Sequence, residues 1–421
     1  MVLLAAGVAG GTVAYQAAAR DRDYRALLAR GDAALKDDQT FGAIEAYSGA
    51  IALRRDSMLA HLRRGETYLR RGDRGDLDQA VRDFRAAAAM DEAATPPLEE
   101  LGDVLYQLQR YAPAADAYRR YLKLDDRSAR VSYKLALAHY RGGSLDEAIS
   151  ALGRTLTLDN RMADAHYLLG MCLRDGKRTS EALQEFEKAV AIDPGSIPSR
   201  EELADLYAAA GRRADELEQL RQVAGLDGQH LERQVAVGLA QARAGRAELA
   251  VLTLGRALER SPNQPLIYGA LGQVWLDMAE VRNDNVALSK AIEALGRAAS
   301  SPAASSEILT LYGRALLQDG QIDLAERTLR EATTKYPVDP SALLLYASAA
   351  ERQSHLDAAR SALIGYAALV DEEEGSVARA TRIASLSLRL NDQRTAAEWL
   401  RRGLEKDPNN PALLALARRA R

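Results

Sequence analysis

A helix–turn–helix pattern recurs about every 34 residues along this chain, and it constrains the fold more than any other feature. Residues 163–196 show the pattern most clearly. Two stretches there carry apolar residues at helical spacing, a polar turn separates them, and a proline at position 194 closes the unit. Its small residues are Gly170, Ala182 and Ala189, and its large apolar residues are Leu169, Leu173 and Phe186. The small residues let two helix backbones approach closely, and the large ones fill the space between them.

The pattern resembles the tetratricopeptide repeat, and the match at 163–196 holds position by position. About eleven such units follow one another over residues 24–410. The resemblance implies an all-α, right-handed α-solenoid, a superhelix whose units bury their core against their neighbours. We therefore predict three segments: an N-terminal segment at 1–19, the solenoid at 24–410, and a C-terminal capping helix at 411–421. The sixth unit is the weakest match, since Glu216 replaces a small residue.

Three stretches interrupt the regular spacing of the repeat units, here called the repeat frame. Residues 74–76 lengthen the turn of the second unit, and residues 281–285 either extend a helix or form a loop in the eighth. Residues 371–374 form an acidic insert after the tenth unit. None of these stretches is long enough to be a separate domain.

Residues 1–19 are apolar, lie outside the repeat frame and end at the charged run 20–23. An uncleaved membrane anchor is the preferred interpretation, with a cleaved signal peptide or a cytosolic leading helix as alternatives. No lysine or arginine precedes the apolar run, so the sequence does not indicate a membrane orientation. The expected location is a bacterial inner membrane, on its periplasmic side. A periplasmic, secreted or cytoplasmic protein is the alternative.

Composition argues against several classes of function. The formal net charge is -3, whereas non-specific nucleic-acid binding needs a strong basic surplus. The single cysteine, Cys172, allows neither an intramolecular disulfide nor a cysteine-based zinc site, and we expect it to be buried and inert. The five histidines have no metal-ligand spacing, and no phosphate-binding glycine motif is present. We predict no enzyme activity, cofactor, metal or small-molecule substrate.

The resemblance implies that the first helix of each unit lines a concave groove that binds partner proteins. Groove positions in the third to fifth units hold four tyrosines: Tyr106, Tyr133, Tyr140 and Tyr167. Four cations fall on or beside the same face: Arg130, Lys134, Arg141 and Arg174. Rings beside cations would suit an extended peptide segment with hydrophobic and acidic residues. Alternatively, these tyrosines pack within the helix pairs, as Tyr47, Tyr118 and Tyr207 should by their frame positions.

Two units share a similar acidic opening, at 96–103 and at 198–205. Glu99 and Asp103 of the first opening would belong to an inner acidic patch that receives basic partner residues. Alternatively, these residues only stabilise the start of a helix, because proline and carboxylates both suit the first turn of a helix. In later units the groove positions hold residues that predict a blander surface: Val235, Leu239, Gly269 and Leu276.

These observations predict a non-enzymatic scaffold, tethered to a membrane through residues 1–19, whose solenoid binds proteins or extended peptide segments. A soluble or secreted version of the same binding module is the alternative. No paired lysine and asparagine occupy the groove positions, so the carboxylate-clamp function of some family members is not implied.

Overall fold

The structure is a computed structural model that describes residues 2–227, 230–370 and 376–420, and of residues 2–14 it describes the backbone alone. Over these ranges the chain forms 23 α-helices and no strand. The all-α prediction is therefore confirmed.

Two compact units divide the chain, unit 1 at residues 1–206 and unit 2 at residues 207–421, with the boundary inside α11 (Ile197–Ala209). The first ten helices, all in unit 1, are α1 (Val2–Lys36), α2 (Thr40–Leu53), α3 (Met58–Arg71), α4 (Asp76–Met90), α5 (Pro96–Gln107), α6 (Tyr111–Leu124), α7 (Ala129–Arg141), α8 (Leu145–Leu158), α9 (Ala163–Asp175) and α10 (Thr179–Ile192). The helices after α11 belong to unit 2 and are α12 (Arg213–Leu226), α13 (Leu231–Arg243), α14 (Ala247–Arg260), α15 (Pro265–Arg282), α16 (Asn285–Ala299), α17 (Ser306–Asp319), α18 (Ile322–Ala332), α19 (Pro340–Arg352), α20 (Leu356–Leu369), α21 (Ser376–Arg389), α22 (Gln393–Lys406) and α23 (Pro411–Arg419).

Consecutive helices pack as pairs within each unit. In unit 1 the pairs run from α1 with α2 to α9 with α10, and in unit 2 from α13 with α14 to α21 with α22. Second helices also contact the first helix of the next pair within each unit, as α8 contacts α9 and α20 contacts α21. The core is therefore spread along a row of pairs, which is the defining property of a solenoid. From α1 to α22 the helix order follows the eleven predicted repeats, and α23 follows them.

Within a pair, a small residue on the first helix faces a large one on the second. A Cβ atom added at Gly170 of α9 would lie 2.6 Å from Phe186 Cε1 of α10, and one at Gly65 would lie 2.6 Å from Phe84 Cε1. Both rings are completely buried. Glycine is needed at these positions because the aromatic ring lies directly against the backbone of the first helix. The predicted close approach of the helices is confirmed.

Local sequence explains where the helices stop. Gly72 and Gly75 have φ angles of 69° and 89°, and they form the lengthened turn between α3 and α4 that the sequence predicted. Asp76 begins α4 with its carboxylate buried, and Arg71 donates to that carboxylate at 2.8 and 2.6 Å. The sequence predicted either a longer helix or a loop at residues 281–285, and the first two of these residues do extend the helix. Helix α15 continues to Arg282 before Asn283 turns the chain with a φ of 51°.

Glu216 of α12 is buried at the frame position where a small residue was expected. Arg213 Nη1 lies 3.2 Å from Glu216 Oε2, and Arg243 Nε of α13 donates to Glu216 Oε1 at 3.1 Å. Two cations thus compensate the buried carboxylate, since an unpaired charge there would be costly. This departure from the frame is accommodated by ion pairing rather than by a break in the helices. The acidic insert at 371–374 lies outside the described residues.

Helix α1 runs without interruption from Val2 to Lys36, so it joins the predicted N-terminal segment to the first repeat. The side chains of residues 1–14 lie outside the described part of the chain, and so does most of the anchor or signal segment predicted at 1–19. Among the helices whose residues are described, none combines the length and the apolar character that crossing a bilayer requires.

Helix α23 packs against α21 and α22. Leu413 is its completely buried residue, and Asn410 Oδ1 accepts a hydrogen bond from Leu413 N at 3.2 Å to begin the helix. A Cβ atom at Gly403 of α22 would lie 2.7 Å from Leu413 Cδ1, so the two helices are in close contact. The capping role predicted for 411–421 stays a prediction.

Candidate functional site

Four tyrosines, here called the tyrosine ladder, lie on the first helices of three consecutive pairs: Tyr106 on α5, Tyr133 and Tyr140 on α7, and Tyr167 on α9. All four are half-buried. Burial raises the pKa of Tyr133 to about 12, and the charge of Asp164 and the hydroxyls of Tyr106 and Tyr167 act in the same direction. Tyr133 is therefore within electrostatic reach of the ladder residues on both neighbouring pairs. The structure thus places three of the four rings near one another, those of Tyr106, Tyr133 and Tyr167.

The four hydroxyls of the ladder differ in their partners. Tyr140 donates a hydrogen bond to Asp175 Oδ2 at 2.9 Å, and burial together with this bond raises its pKa to about 12. Within the described part of the chain, the hydroxyls of Tyr106, Tyr133 and Tyr167 have no hydrogen-bond partner. Three of the four rings thus expose a polar group that can bind a ligand.

Two of the predicted groove cations are paired within the chain. Lys134 Nζ donates to Glu99 Oε1 at 2.7 Å and to Asp103 Oδ2 at 2.5 Å. Arg130 Nη2 donates to Glu99 Oε2 at 2.7 Å. Asp103 also accepts a hydrogen bond of 2.6 Å from the hydroxyl of Tyr118, which is buried in the core as its frame position predicted. The cations of α7 therefore connect it to α5, and an acidic ligand would have to compete with these carboxylates.

The remaining two cations have different surroundings. Arg174 forms ion pairs with Glu202 of α11 and with Asp175. Arg141 has no ion pair with any described residue. Burial and the Glu202 carboxylate raise the pKa of Tyr167, and the charges of Arg174 and Arg141 oppose that shift. Arg141 is thus the predicted groove cation that lies near the ladder and is available to a ligand.

Carboxylates of both acidic openings form ion pairs with other residues of the chain. Glu99 receives the cations of α7, and Glu202 receives Arg174 of α9. These ion pairs connect the first helices of consecutive pairs, which neither of the two interpretations of these openings anticipated. Glu100 differs, because it is half-buried without an ion pair among the described residues. Burial and the carboxylates of Asp103 and Glu66 raise its pKa.

The groove positions of later repeats are not the bland surface that the sequence predicted. Val235 is 5 % exposed and Leu276 is completely buried, so both belong to the core of unit 2. Gly269 is also buried, and a Cβ atom there would collide with Ile308 of α17. Leu239, the fourth of these positions, is half-buried and packs against the same core of unit 2.

Residues that could have carried chemistry have structural partners. His61 Nδ1 lies 2.8 Å from Asp83 Oδ1, and the buried His166 contacts Glu185 at 2.7 Å. Cys172 is completely buried, and burial raises its pKa to about 11. The burial predicted for Cys172 is confirmed, and each of the two histidines has a carboxylate partner within the chain. No group of three histidine, cysteine or acidic residues in the described ranges could hold a metal ion.

Sequence reasoning missed a cavity of about 940 Å³ between α19, α21 and α23 of unit 2. Thr381, Ser385 and Arg389 line it from α21, and their spacing of four places them on one face of that helix. That polar stripe was visible in the sequence.

Comparisons with a family model and with solved structures found matches to these helices. The family model of the tetratricopeptide repeat matches residues 71–129, 99–161, 133–197 and 310–369, which fall in both units. Similar solved structures include the MamA protein, with 22 % identity, 41 % of this chain and 93 % of that chain covered, and a TM-score of 0.39. YrrB, described as a tetratricopeptide repeat protein with an unusual peptide-binding site, has 21 % identity, 45 % and 97 % coverage, and a TM-score of 0.38. Yeast Tom70 has 12 % identity, 89 % and 98 % coverage, and a TM-score of 0.47.

A search of curated proteins finds no match. The family matches and the helix pairing together give an all-α solenoid built from helix pairs of the tetratricopeptide repeat type.

Proposed function

We propose that this chain is a non-enzymatic scaffold that binds extended segments of partner proteins along the tyrosine ladder of unit 1. The observation that carries the proposal is the set of three half-buried rings, Tyr106, Tyr133 and Tyr167, whose hydroxyls have no partner among the described residues. Tyrosine offers a large apolar area and a hydrogen-bonding group at a low cost in conformational entropy. A row of such rings on consecutive pairs suits a segment that lies across several helices.

The charges around the ladder indicate what such a segment carries. Arg141, Glu100 and Asp164 are charged groups near the ladder that have no ion pair among the described residues, one cationic and two acidic. Lys134 and Arg130 already neutralise Glu99. We therefore expect the rings to supply most of the affinity and these free charges to fix the orientation of the segment. Binding at the ladder should depend only weakly on salt, because few unpaired charges take part.

A double variant tests the ladder. Tyr133→Ala with Tyr167→Ala should weaken partner binding by about 2–4 kcal/mol, the scale of hot-spot truncation. The assay is the affinity of the purified variant for a partner that co-purifies with the parent chain from its native host. Phe41→Ala with Tyr336→Ala is the matched control, because it also removes two rings and both residues are well exposed, at 77 % and 97 %.

The melting temperature of the same samples separates the two interpretations of the ladder. If the rings bind ligand, the double variant should melt close to the parent. If the rings serve as core, it should melt several degrees lower and lose all partners to the same extent. Unchanged affinity in a well-folded double variant would remove the ladder as a binding site.

Membrane attachment through residues 1–19 is a separate part of the proposal and stays a prediction. The apolar composition of that segment motivates it. We expect the full-length chain to remain with the membrane fraction after carbonate extraction of the native host. A soluble product that begins near Arg20 would instead support a secreted binding module, and a soluble full-length chain would support a cytosolic one.

A further inference from the structure

The cavity between α19, α21 and α23 combines small, apolar and polar residues. Thr381, Ser385 and Arg389 line it from α21, and Ala412, Ala415 and Arg419 line it from α23. The alanines leave room beside the backbone of α23, and the hydroxyl of Ser385 has no partner among the described residues. The volume of about 940 Å³ is enough for several side chains of a bound segment.

Some charged side chains that line this cavity have partners within the chain, and others have none among the described residues. Arg382 Nε donates to Glu351 Oε1 at 2.6 Å, so these two charges neutralise each other. Asp407 accepts a hydrogen bond from Asn410 Nδ2 at 3.1 Å. Arg389 and Arg419 are exposed, and neither has an ion pair or hydrogen bond with any described residue. The groups that remain without a partner in the cavity are therefore two cations and a hydroxyl.

We propose that this cavity is a second binding site, one for an acidic segment of a partner protein with apolar side chains between its carboxylates. Arg389 and Arg419 would each pair with a carboxylate, and guanidinium groups suit this role because they form two parallel hydrogen bonds. The apolar side chains of the segment would lie beside the alanines and Leu416. The site lies in unit 2, apart from the tyrosine ladder, and it would stand even if the ladder proved to be core.

Binding of a fluorescein-labelled peptide of alternating Glu and Leu to the full chain, followed by fluorescence anisotropy, tests this proposal. The same peptide with Gln in place of Glu is the ligand control. Arg389→Ala with Arg419→Ala should weaken binding of the Glu peptide about tenfold, and added salt should weaken it as well. Arg394→Ala with Arg401→Ala is the protein control, because it removes two cations of α22 that do not line this cavity.

The proposal predicts that the Glu peptide binds, that the Gln peptide binds more weakly, and that only the cavity variant loses affinity. Equal losses in both arginine variants would overturn it, because binding would then follow net charge alone. Tighter binding of a labelled single-stranded oligonucleotide than of the Glu peptide would also overturn it. So would self-association of the parent chain that the cavity variant abolishes, since a second copy would then be the occupant. If Tyr133→Ala with Tyr167→Ala lost affinity for the Glu peptide and the cavity variant did not, the peptide would be binding at the ladder and the proposal would fail.

Discussion

Replacing Gly170 by alanine tests whether close helix approach requires glycine in this chain. The added Cβ atom would lie 2.6, 2.8 and 2.9 Å from three ring carbons of Phe186, which is completely buried. Real Cβ contacts are longer than this, so the ring or the helix has to move. Overpacking of this kind costs about 1–3 kcal/mol. Alanine also stabilises a helix interior by about 1 kcal/mol relative to glycine, so the net loss should be about 0–2 kcal/mol.

Gly153 of α8 provides the matched control, since no atom lies within 4 Å of a Cβ added there. Gly153→Ala gains the same helix propensity without the collision. The stabilities of the two variants should therefore differ by about 1–3 kcal/mol, with Gly170→Ala the less stable. Urea denaturation followed by circular dichroism measures both, and hydrogen exchange of α9 and α10 shows whether the loss is local.

A second substitution should relieve the collision. Where alanine occupies the small position, leucine faces it, as with Ala136 and Leu152 in the same buried cluster of unit 1. Gly170→Ala combined with Phe186→Leu reproduces that pair and should be more stable than the sum of the single changes predicts. Equal stability of Gly170→Ala and Gly153→Ala would show that the ring moves freely, and the reasoning would fail.

Two further predictions follow from helix ends. Arg71 lowers the pKa of the buried Asp76 in the native state. The ion pair therefore stabilises the native state fully above about pH 4, the usual pKa of an unfolded aspartate, and this stabilisation is lost as the pH falls through the lowered native pKa. Asp76→Asn should make the free energy of unfolding depend less steeply on pH in denaturation measured from neutral pH downward. An equally steep acid dependence in the variant would contradict this. Removal of residues 411–421 should uncover the apolar surfaces of α21 and α22 that Leu413 covers, and light scattering should detect aggregation. A truncated chain that stays as monodisperse as the parent would show that α23 is not a cap.

The repeat frame was predictable because it depends on residues close together in sequence. Gly170, Ala182 and Phe186 belong to one helix pair, and their sizes alone indicate which faces meet. The helix order, the buried frame tyrosines and the lengthened turn after α3 followed from the same local patterns.

Contacts between successive pairs were harder to predict. Lys134 reaches Glu99, 35 residues earlier, only because α5 and α7 stand side by side in a particular register. Sequence spacing gives no such register, so Lys134 was assigned to a ligand rather than to Glu99. The cavity between α21 and α23 was missed for a related reason, since its shape depends on the distance between two helices that are not consecutive in the chain.

The ring-to-glycine fit has a consequence for how such a chain can change during evolution. Gly170 and Phe186 lie in the same helix pair, so duplication or loss of a whole pair keeps each ring with its glycine. A recombination breakpoint in the turn between α9 and α10 would separate them. It could place Phe186 opposite an alanine such as Ala136, with the collision described above. Viable exchange between repeats should therefore concentrate in the turns that connect one pair to the next.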